Sequence, residues 1–177
     1  MDKNRQHFLT IAAAIDGNTF IRFALFDTFR LKSRWKAPAM FAFVMTVLSV
    51  VCFSVKDTHE QAPLLGTVLL AVGLLFPSVW FLMFMVSVRS QVKKNALSAR
   101  KAQYYVLLIF DGVKVTKGSD EVEFSWSDIS MAYRVKGCIY LYINEQRAYL
   151  LPKCDDSDEA WEIITGSIPE SRAKDLR

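Results

Sequence analysis

Two charge-free stretches decide the fold: APAMFAFVMTVLSVVCFSV at residues 37–55 and APLLGTVLLAVGLLFPSVWFLMFMVSV at residues 62–88. They are 19 and 27 residues long, and about 20 apolar residues cross a hydrocarbon core of about 30 Å as a helix. We therefore predict two transmembrane helices, the longer of which tilts or bends at Pro77. Two buried helices of a soluble protein are the alternative, but such stretches are hard to bury in a 20.2 kDa chain.

A short loop at residues 56–61 (KDTHEQ) joins the two stretches and predicts a helical hairpin with both chain ends on one side of a membrane. The loop carries one Lys against two acidic residues, whereas both outer flanks are basic. Because cytoplasmic flanks are enriched in Lys and Arg, we expect both termini to be cytoplasmic. The membrane-proximal basic residues are Arg30, Lys32, Arg34, Lys36, Arg89, Lys93, Lys94, Arg100 and Lys101.

The net charge of +4 is concentrated beside these stretches. Residues 1–36 carry +4, the loop −1 and residues 89–177 +1. Juxtamembrane cations set topology and attract anionic lipid head groups, so membrane lipid is one expected partner. The sequence pI of 9.0 therefore gives no reason to expect a nucleic-acid partner.

The N-terminal arm, residues 1–36, contains a predicted amphipathic helix. Asn18 or Thr19 is expected to cap it, and it runs to about Ser33 with a dense apolar set. It either lies in the membrane interface or extends the first span as a stalk that packs on the following domain. Residues 8–15 (FLTIAAAI) fit a strand or a helix equally well.

The periodicity changes after a basic helical continuation assigned to residues 89–103, with its helix ending at about Lys101. Asp111-Gly112 is a hairpin signal, and Gly166 is expected to end a final helix from Ser157. Six short antiparallel strands are predicted at residues 104–110, 113–117, 122–126, 129–135, 138–143 and 148–151.

This order describes a small curved sheet or partly closed barrel, capped by a C-terminal helix, at residues 104–177. It is the outline of a pleckstrin-homology-like (PH-like) domain shortened by one strand, which residues 8–15 are able to supply. The predicted fold class is therefore an α+β membrane protein: a two-helix transmembrane hairpin with a cytoplasmic antiparallel sheet.

Four short motifs follow the two apolar stretches: F-D-G at residues 110–112, W-S-D-I at 126–129, I-Y-L-Y at 139–142 and L-P-K at 151–153. With the basic arm and the paired spans before them, they resemble the YcxB-like bacterial membrane proteins over nearly the whole chain. Cys154-Asp155 departs from the basic and aromatic residues usual after L-P-K. The resemblance implies a multi-pass protein of the bacterial inner membrane with a PH-like cytoplasmic domain, and it brings no catalytic residues.

No constellation of residues specifies a reaction. The two histidines, His7 and His59, lie far apart in the sequence, and the glycines form no phosphate-binding loop. The acidic residues at 155–162 lack the spacing of a calcium loop, and the three cysteines (Cys52, Cys138 and Cys154) are expected to be unpaired. We predict a non-enzyme without cofactor or metal.

The predicted function is that of a membrane-anchored interaction module that binds a protein partner or anionic lipid head groups at the cytoplasmic face. The alternative is a regulatory or protective protein that acts through its hairpin, in antimicrobial-peptide immunity or transporter modulation. Small residues of the second span (Ala62, Gly66, Thr67, Ala71 and Gly73) pack inside the hairpin or mediate self-association.

Overall fold

The computed structural model describes residues 9–55, 60–97, 101–152 and 154–177. The chain forms two compact units. The segment up to Phe20 joins Ala96–Arg177 in one unit, here called the sheet domain, and Ile21–Asn95 forms the other, here called the helical unit.

The helical unit contains the two predicted apolar helices. Helix α2 covers Lys36–Ser54 and helix α3 covers Ala62–Lys94, and both are long and apolar enough to cross a membrane. They pack against each other as an antiparallel hairpin, with Cys52 beside Gly66 and Met45 beside Gly73. The predicted helices are thus confirmed, while residues 56–59 of the predicted loop lie outside the described residues.

Helix α3 ends earlier than the sequence suggests. Its last residue is Lys94, and Ala96 then adopts a φ of 47°, which a continuing helix does not allow. The predicted basic continuation to about Lys101 is therefore helical through Lys94 and wrong at residues 95–97, and residues 98–100 lie outside the described residues.

The arm helix differs from its prediction at both ends. Helix α1 covers Gly17–Leu25, and Asp16 caps it instead of Asn18 or Thr19, since Asp16 Oδ1 accepts a hydrogen bond of 2.7 Å from the N–H of Thr19. A π-helical segment, Phe26–Leu31, follows, and Ser33 has a φ of 49°. The arm is therefore not a straight extension of α2.

The sheet domain contains two four-stranded sheets. The first has the order β1-β2-β3-β4 and is antiparallel throughout, and the second has the order β7-β6-β5-β8. Their strands are β1 Leu9–Ala13, β2 Tyr104–Ile109, β3 Gly112–Lys117, β4 Asp120–Ser125, β5 Met131–Val135, β6 Cys138–Tyr142, β7 Ala148–Pro152 and β8 Ala173–Asp175.

All six predicted strands are present, and residues 9–13 supply a further one, β1, which pairs with β2. Two features correct the prediction. The strands form two sheets with no closed barrel among the described residues, and the unpredicted β8 pairs with β5 in parallel. Only three residues form β8, which is too short for any hydrophobic period to be visible in the sequence.

Helix α4, Ser157–Ser167, covers the hydrophobic core of the sheet domain. Its Ala160, Trp161 and Ile164 are buried in the core formed with residues of both sheets, and Ile163 is partly buried against it. Gly166 lies inside this helix and does not end it, because the helix continues through Ser167 before Pro169. Tyr104 links the two sheets, since its hydroxyl donates to the Leu150 carbonyl at 3.0 Å and accepts from the Leu150 N–H at 2.8 Å.

Candidate functional site

The predicted basic residues of the helical unit lie at one end of the α2–α3 hairpin. Lys36 begins α2, and Lys93 and Lys94 end α3, which runs in the opposite direction. Arg30, Arg34, Lys36, Arg89, Lys93 and Lys94 are exposed, and so is Lys101, which belongs to the sheet domain. Lys32 is different, because its ammonium lies 2.7 Å from the Asp27 carboxylate. Arg100 lies outside the described residues.

The register of the hairpin explains why the second apolar stretch is the longer one. Met45 lies against Gly73, and the rings of Phe41 and Phe76 are 4.7 Å apart. Extending this antiparallel register places Lys36 level with about Leu82. The apolar residues 83–88 therefore extend past the start of α2.

An aromatic residue of the arm contacts this part of α3. The ring of Phe29 lies 6.0 Å from Trp80, 6.2 Å from Phe81 and 5.9 Å from Phe84, in edge-to-face orientations. The π-helical segment thus places Phe29 on apolar surface of α3 at and just past the level where α2 begins. This contact holds the arm against the hairpin.

The small residues of α3 differ in burial. Gly66 and Gly73 are buried against α2, and Ser49 of α2 donates a 2.7 Å hydrogen bond to the Gly66 carbonyl. A Cβ at Gly73 would come within 2.8 Å of the Met45 Cβ. The glycines therefore allow close packing inside the hairpin, whereas Thr67 and Ala71 are exposed.

Two of the sequence motifs meet at one corner of the sheet domain. The indole N–H of Trp126 donates to the carbonyls of Ile109 at 3.1 Å and Phe110 at 3.0 Å. No side chain fits at Gly112, because a Cβ there would lie 2.0 Å from the Phe124 carbonyl oxygen. Gly112 and Trp126 of the F-D-G and W-S-D-I motifs are therefore structural, and Phe110, 85% exposed at the tip of the turn, is their exposed large apolar side chain.

A cavity of about 560 Å³ lies between the β5–β6 turn and the start of α4. Its one deeply buried charge is Arg134, which is 8% exposed, pairs with the Asp158 carboxylate and lies 5.8 Å over the Trp161 ring. Asp175 of β8 adds a contact at 3.9 Å. The Arg134 charge is therefore already neutralised by α4 and the C-terminal strand.

Two titratable groups of the sheet domain, the Cys138 thiol and the Tyr104 hydroxyl, are held in their neutral forms. Burial raises the pKa of the Cys138 thiol from 9.0 to about 12, and burial also raises the pKa of the Tyr104 hydroxyl. A thiol of raised pKa is a poor nucleophile at neutral pH. In the part of the chain that the structure describes, no three His, Cys, Asp or Glu side chains come together as metal ligands.

The sheet domain is acidic, although the whole chain is basic. Residues 104–177 contain nine Lys and Arg residues and thirteen Asp and Glu residues, a net charge of −4, and the whole sheet domain, residues 1–20 and 96–177, has a net charge of −2. Several of the cations are engaged within the domain: Lys114 lies 2.7 Å from Glu121, Arg134 pairs with Asp158, and Arg172 donates to the Ile129 carbonyl at 3.2 Å. This charge balance disfavours an anionic ligand.

Strand β4 has the most exposed side chains of the described strands. Asp120, Glu121, Val122, Glu123 and Ser125 are exposed, and only Phe124 is half-buried. Among the described residues, no strand pairs with its outer edge. The acidic pattern of this strand is visible in the sequence, but its position at an edge is not.

Comparison with known proteins finds one similarity. The model of the family described as YcxB-like protein matches residues 111–164, which run from the start of β3 into α4. This match confirms the resemblance to YcxB-like proteins for that segment. No curated protein and no solved structure matches the chain.

Proposed function

We propose that this chain is a non-enzymatic interaction module of the bacterial inner membrane, whose PH-like sheet domain binds a protein partner at the cytoplasmic face. The observation that carries the proposal is the segregation of charge. An apolar hairpin with basic residues at one end is joined to a domain whose residues 104–177 have a net charge of −4.

Two features support the membrane part of the proposal. The outer faces of α2 and α3 expose large apolar side chains, which water solvates poorly and lipid solvates well. The basic residues at one end of the hairpin favour cytoplasmic termini. The order of seven strands paired in antiparallel fashion within two sheets, followed by α4, supports a PH-like fold.

A protein partner is favoured over lipid head groups for the sheet domain. Anionic lipids attract clustered Lys and Arg residues, at about 1 kcal/mol for each residue near the surface. The domain has a net negative charge, and Lys114, Arg134 and Arg172 already contact groups of the domain itself. The basic flanks of the hairpin are the part of the chain suited to anionic lipid.

Reporter fusions test the topology. Alkaline phosphatase placed at residues 56–61 should be active, and placed after Arg177 it should be inactive, while a cytoplasmic reporter should show the reverse pattern. Phosphatase activity after Arg177 would overturn the proposal.

Hydrogen exchange on the full chain tests the choice of partner class. In nanodiscs of zwitterionic and of anionic lipid, the amides of the sheet domain should exchange at equal rates. Protection of the domain in the anionic discs alone would instead show that it binds lipid head groups.

A further inference from the structure

We infer that the outer edge of β4 is a strand-addition site for an extended peptide in which two basic residues flank an apolar one. The inference rests on the proposed function and specifies the partner that the sheet domain binds. In strand addition, backbone hydrogen bonds along an open edge supply affinity, and alternate side chains supply specificity.

Among the described residues, the β4 edge is the longest open sheet edge of the domain. Strand β1 lies next to β7, and Tyr104 bonds to the β7 backbone at Leu150. Strand β8 pairs with the outer side of β5. Of the four outer strands of the two sheets, β4 and β8 have no strand on their outer side among the described residues, and β4 has six residues whereas β8 has three.

The register shows which backbone groups of β4 point outwards. Gly118 and Ser119 form a two-residue turn between the paired residues Lys117 and Asp120. The pair that closes such a turn exchanges both of its hydrogen bonds, so every second residue of β4 from Asp120 bonds to β3. The N–H and C=O groups of Glu121 and Glu123 therefore point away from the sheet. Consistently, the N–H of Ser125, two residues further, donates to Asp128 Oδ2 at 3.0 Å.

The side chains of β4 define what a partner must carry. Glu121 and Glu123 share one face of the sheet with Lys114, which lies opposite Glu123 and 2.7 Å from Glu121. Among the described residues, Lys114 forms an ion pair with Glu121 and none with Glu123. Val122 points to the other face and is 40% exposed. An added strand that carries Lys or Arg opposite each glutamate and an apolar residue opposite Val122 matches all three positions.

A second copy of β4 does not fit this edge. Self-pairing would bring the acidic residues of one strand beside those of the other, and like charges on adjacent strands destabilise a sheet. Charge complementarity thus selects a basic segment of another protein.

Binding to a peptide of alternating Lys and Val tests the inference. The full chain is placed in nanodiscs of zwitterionic lipid, so that the bilayer does not attract the peptide. Wild type should bind it, and added salt should weaken the binding. Glu121→Gln/Glu123→Gln should weaken the affinity by about fivefold, which corresponds to two exposed cross-strand charge pairs. The double variant Glu162→Gln/Glu170→Gln, with the same change in net charge away from β4, should bind like wild type.

Glu123→Pro separates strand addition from charge attraction. Proline removes an outward N–H and leaves the hydrogen bonds to β3 in place, so this variant should lose binding, with an unchanged circular dichroism spectrum as the control for folding. Equal binding by wild type, Glu121→Gln/Glu123→Gln and Glu123→Pro would overturn the inference, as would no binding by wild type. If the reporter fusions still indicate a cytoplasmic domain, either result contradicts the strand-addition site and leaves the proposed function unaffected. If the fusions instead indicate that the domain lies outside the cytoplasm, the proposed function itself is contradicted.

Discussion

Gly112 shows how a residue can be identified correctly in the sequence and yet act for a different reason. The Asp111-Gly112 pair predicts a hairpin, and a hairpin is present. However, the turn residues are Phe110 and Asp111, neither of which has a positive φ, and Gly112 is the first residue of β3. Glycine is required there because the β4 backbone at Phe124 leaves no room for a Cβ.

Gly112→Ala should therefore destabilise the sheet domain. The added Cβ would lie 2.0 Å from the Phe124 carbonyl oxygen, so the β3–β4 pair has to separate. We expect a loss of about 3 kcal/mol or more in the free energy of unfolding, measured by urea titration. Gly166→Ala is the matched control, since this glycine lies inside α4 with open space around it, and this variant should gain about 0.5–1 kcal/mol. Equal stability of Gly112→Ala and wild type would refute the packing argument.

The buried thiol of Cys138 should make the free energy of unfolding depend on pH. Its folded-state pKa is raised from 9.0 to about 12, so the stability it contributes is fully present below about pH 9 and is lost as the pH rises towards 12. Tyr104, whose pKa is also raised, acts in the same direction above about pH 10. Chemical unfolding at several pH values should show a stability that declines from about pH 9, with a smaller slope in Cys138→Ala. The slope difference should reach at most about 1.4 kcal/mol per pH unit. A steeper decline in the variant would contradict this assignment.

At the scale of elements, the hairpin and the arm depend on contacts that hydropathy alone does not reveal. The apolar stretches predict two helices, and α2 and α3 confirm them. Their register is set by Gly66 and Gly73, where the helix backbones approach closely. The arm packs Phe29 on Trp80 and Phe84, at and just past the level where α2 begins.

Gly73→Val should disrupt the hairpin. Its side chain would collide with Met45, because even a Cβ would come within 2.8 Å of the Met45 Cβ. We expect a loss of about 1–3 kcal/mol, seen as a lower melting temperature of the full chain in detergent. Ala71→Val adds similar bulk on an exposed face of the same helix and should leave the melting temperature unchanged. A larger decrease in melting temperature for Ala71→Val than for Gly73→Val would contradict this prediction, because it would show that helix packing involves the face that carries Ala71.

At the scale of the whole molecule, the chain divides into units that bury different kinds of surface. The sheet domain has its own hydrophobic core, while the helices of the other unit expose apolar side chains along most of their length. The division does not follow the chain order, because β1 precedes the hairpin in sequence and pairs with β2 after it. A domain boundary drawn at residue 104 therefore misses one strand of the sheet.

Two unfolding transitions should follow from this division. Urea acts on the water-exposed sheet domain, whereas a bilayer keeps helices hydrogen-bonded internally. In nanodiscs, the fluorescence of Trp126 and Trp161 should change at a lower urea concentration than that of Trp80, as measured in variants that retain one tryptophan at a time. Gly112→Ala should shift the first transition alone, and Gly73→Val the second. A single transition reported by all three tryptophans would contradict this expectation.

The sequence by itself determined the elements whose signal is local. Long charge-free stretches predicted α2 and α3, and alternating side chains with intervening turns predicted β2 to β7, because hydrophobic periodicity is a property of neighbouring residues. Only the tertiary structure decided that residues 9–13 form a strand, that Ala173–Asp175 closes the β5 edge and that β4 remains open. Each of these features depends on pairing between residues far apart in the chain, which no local pattern encodes.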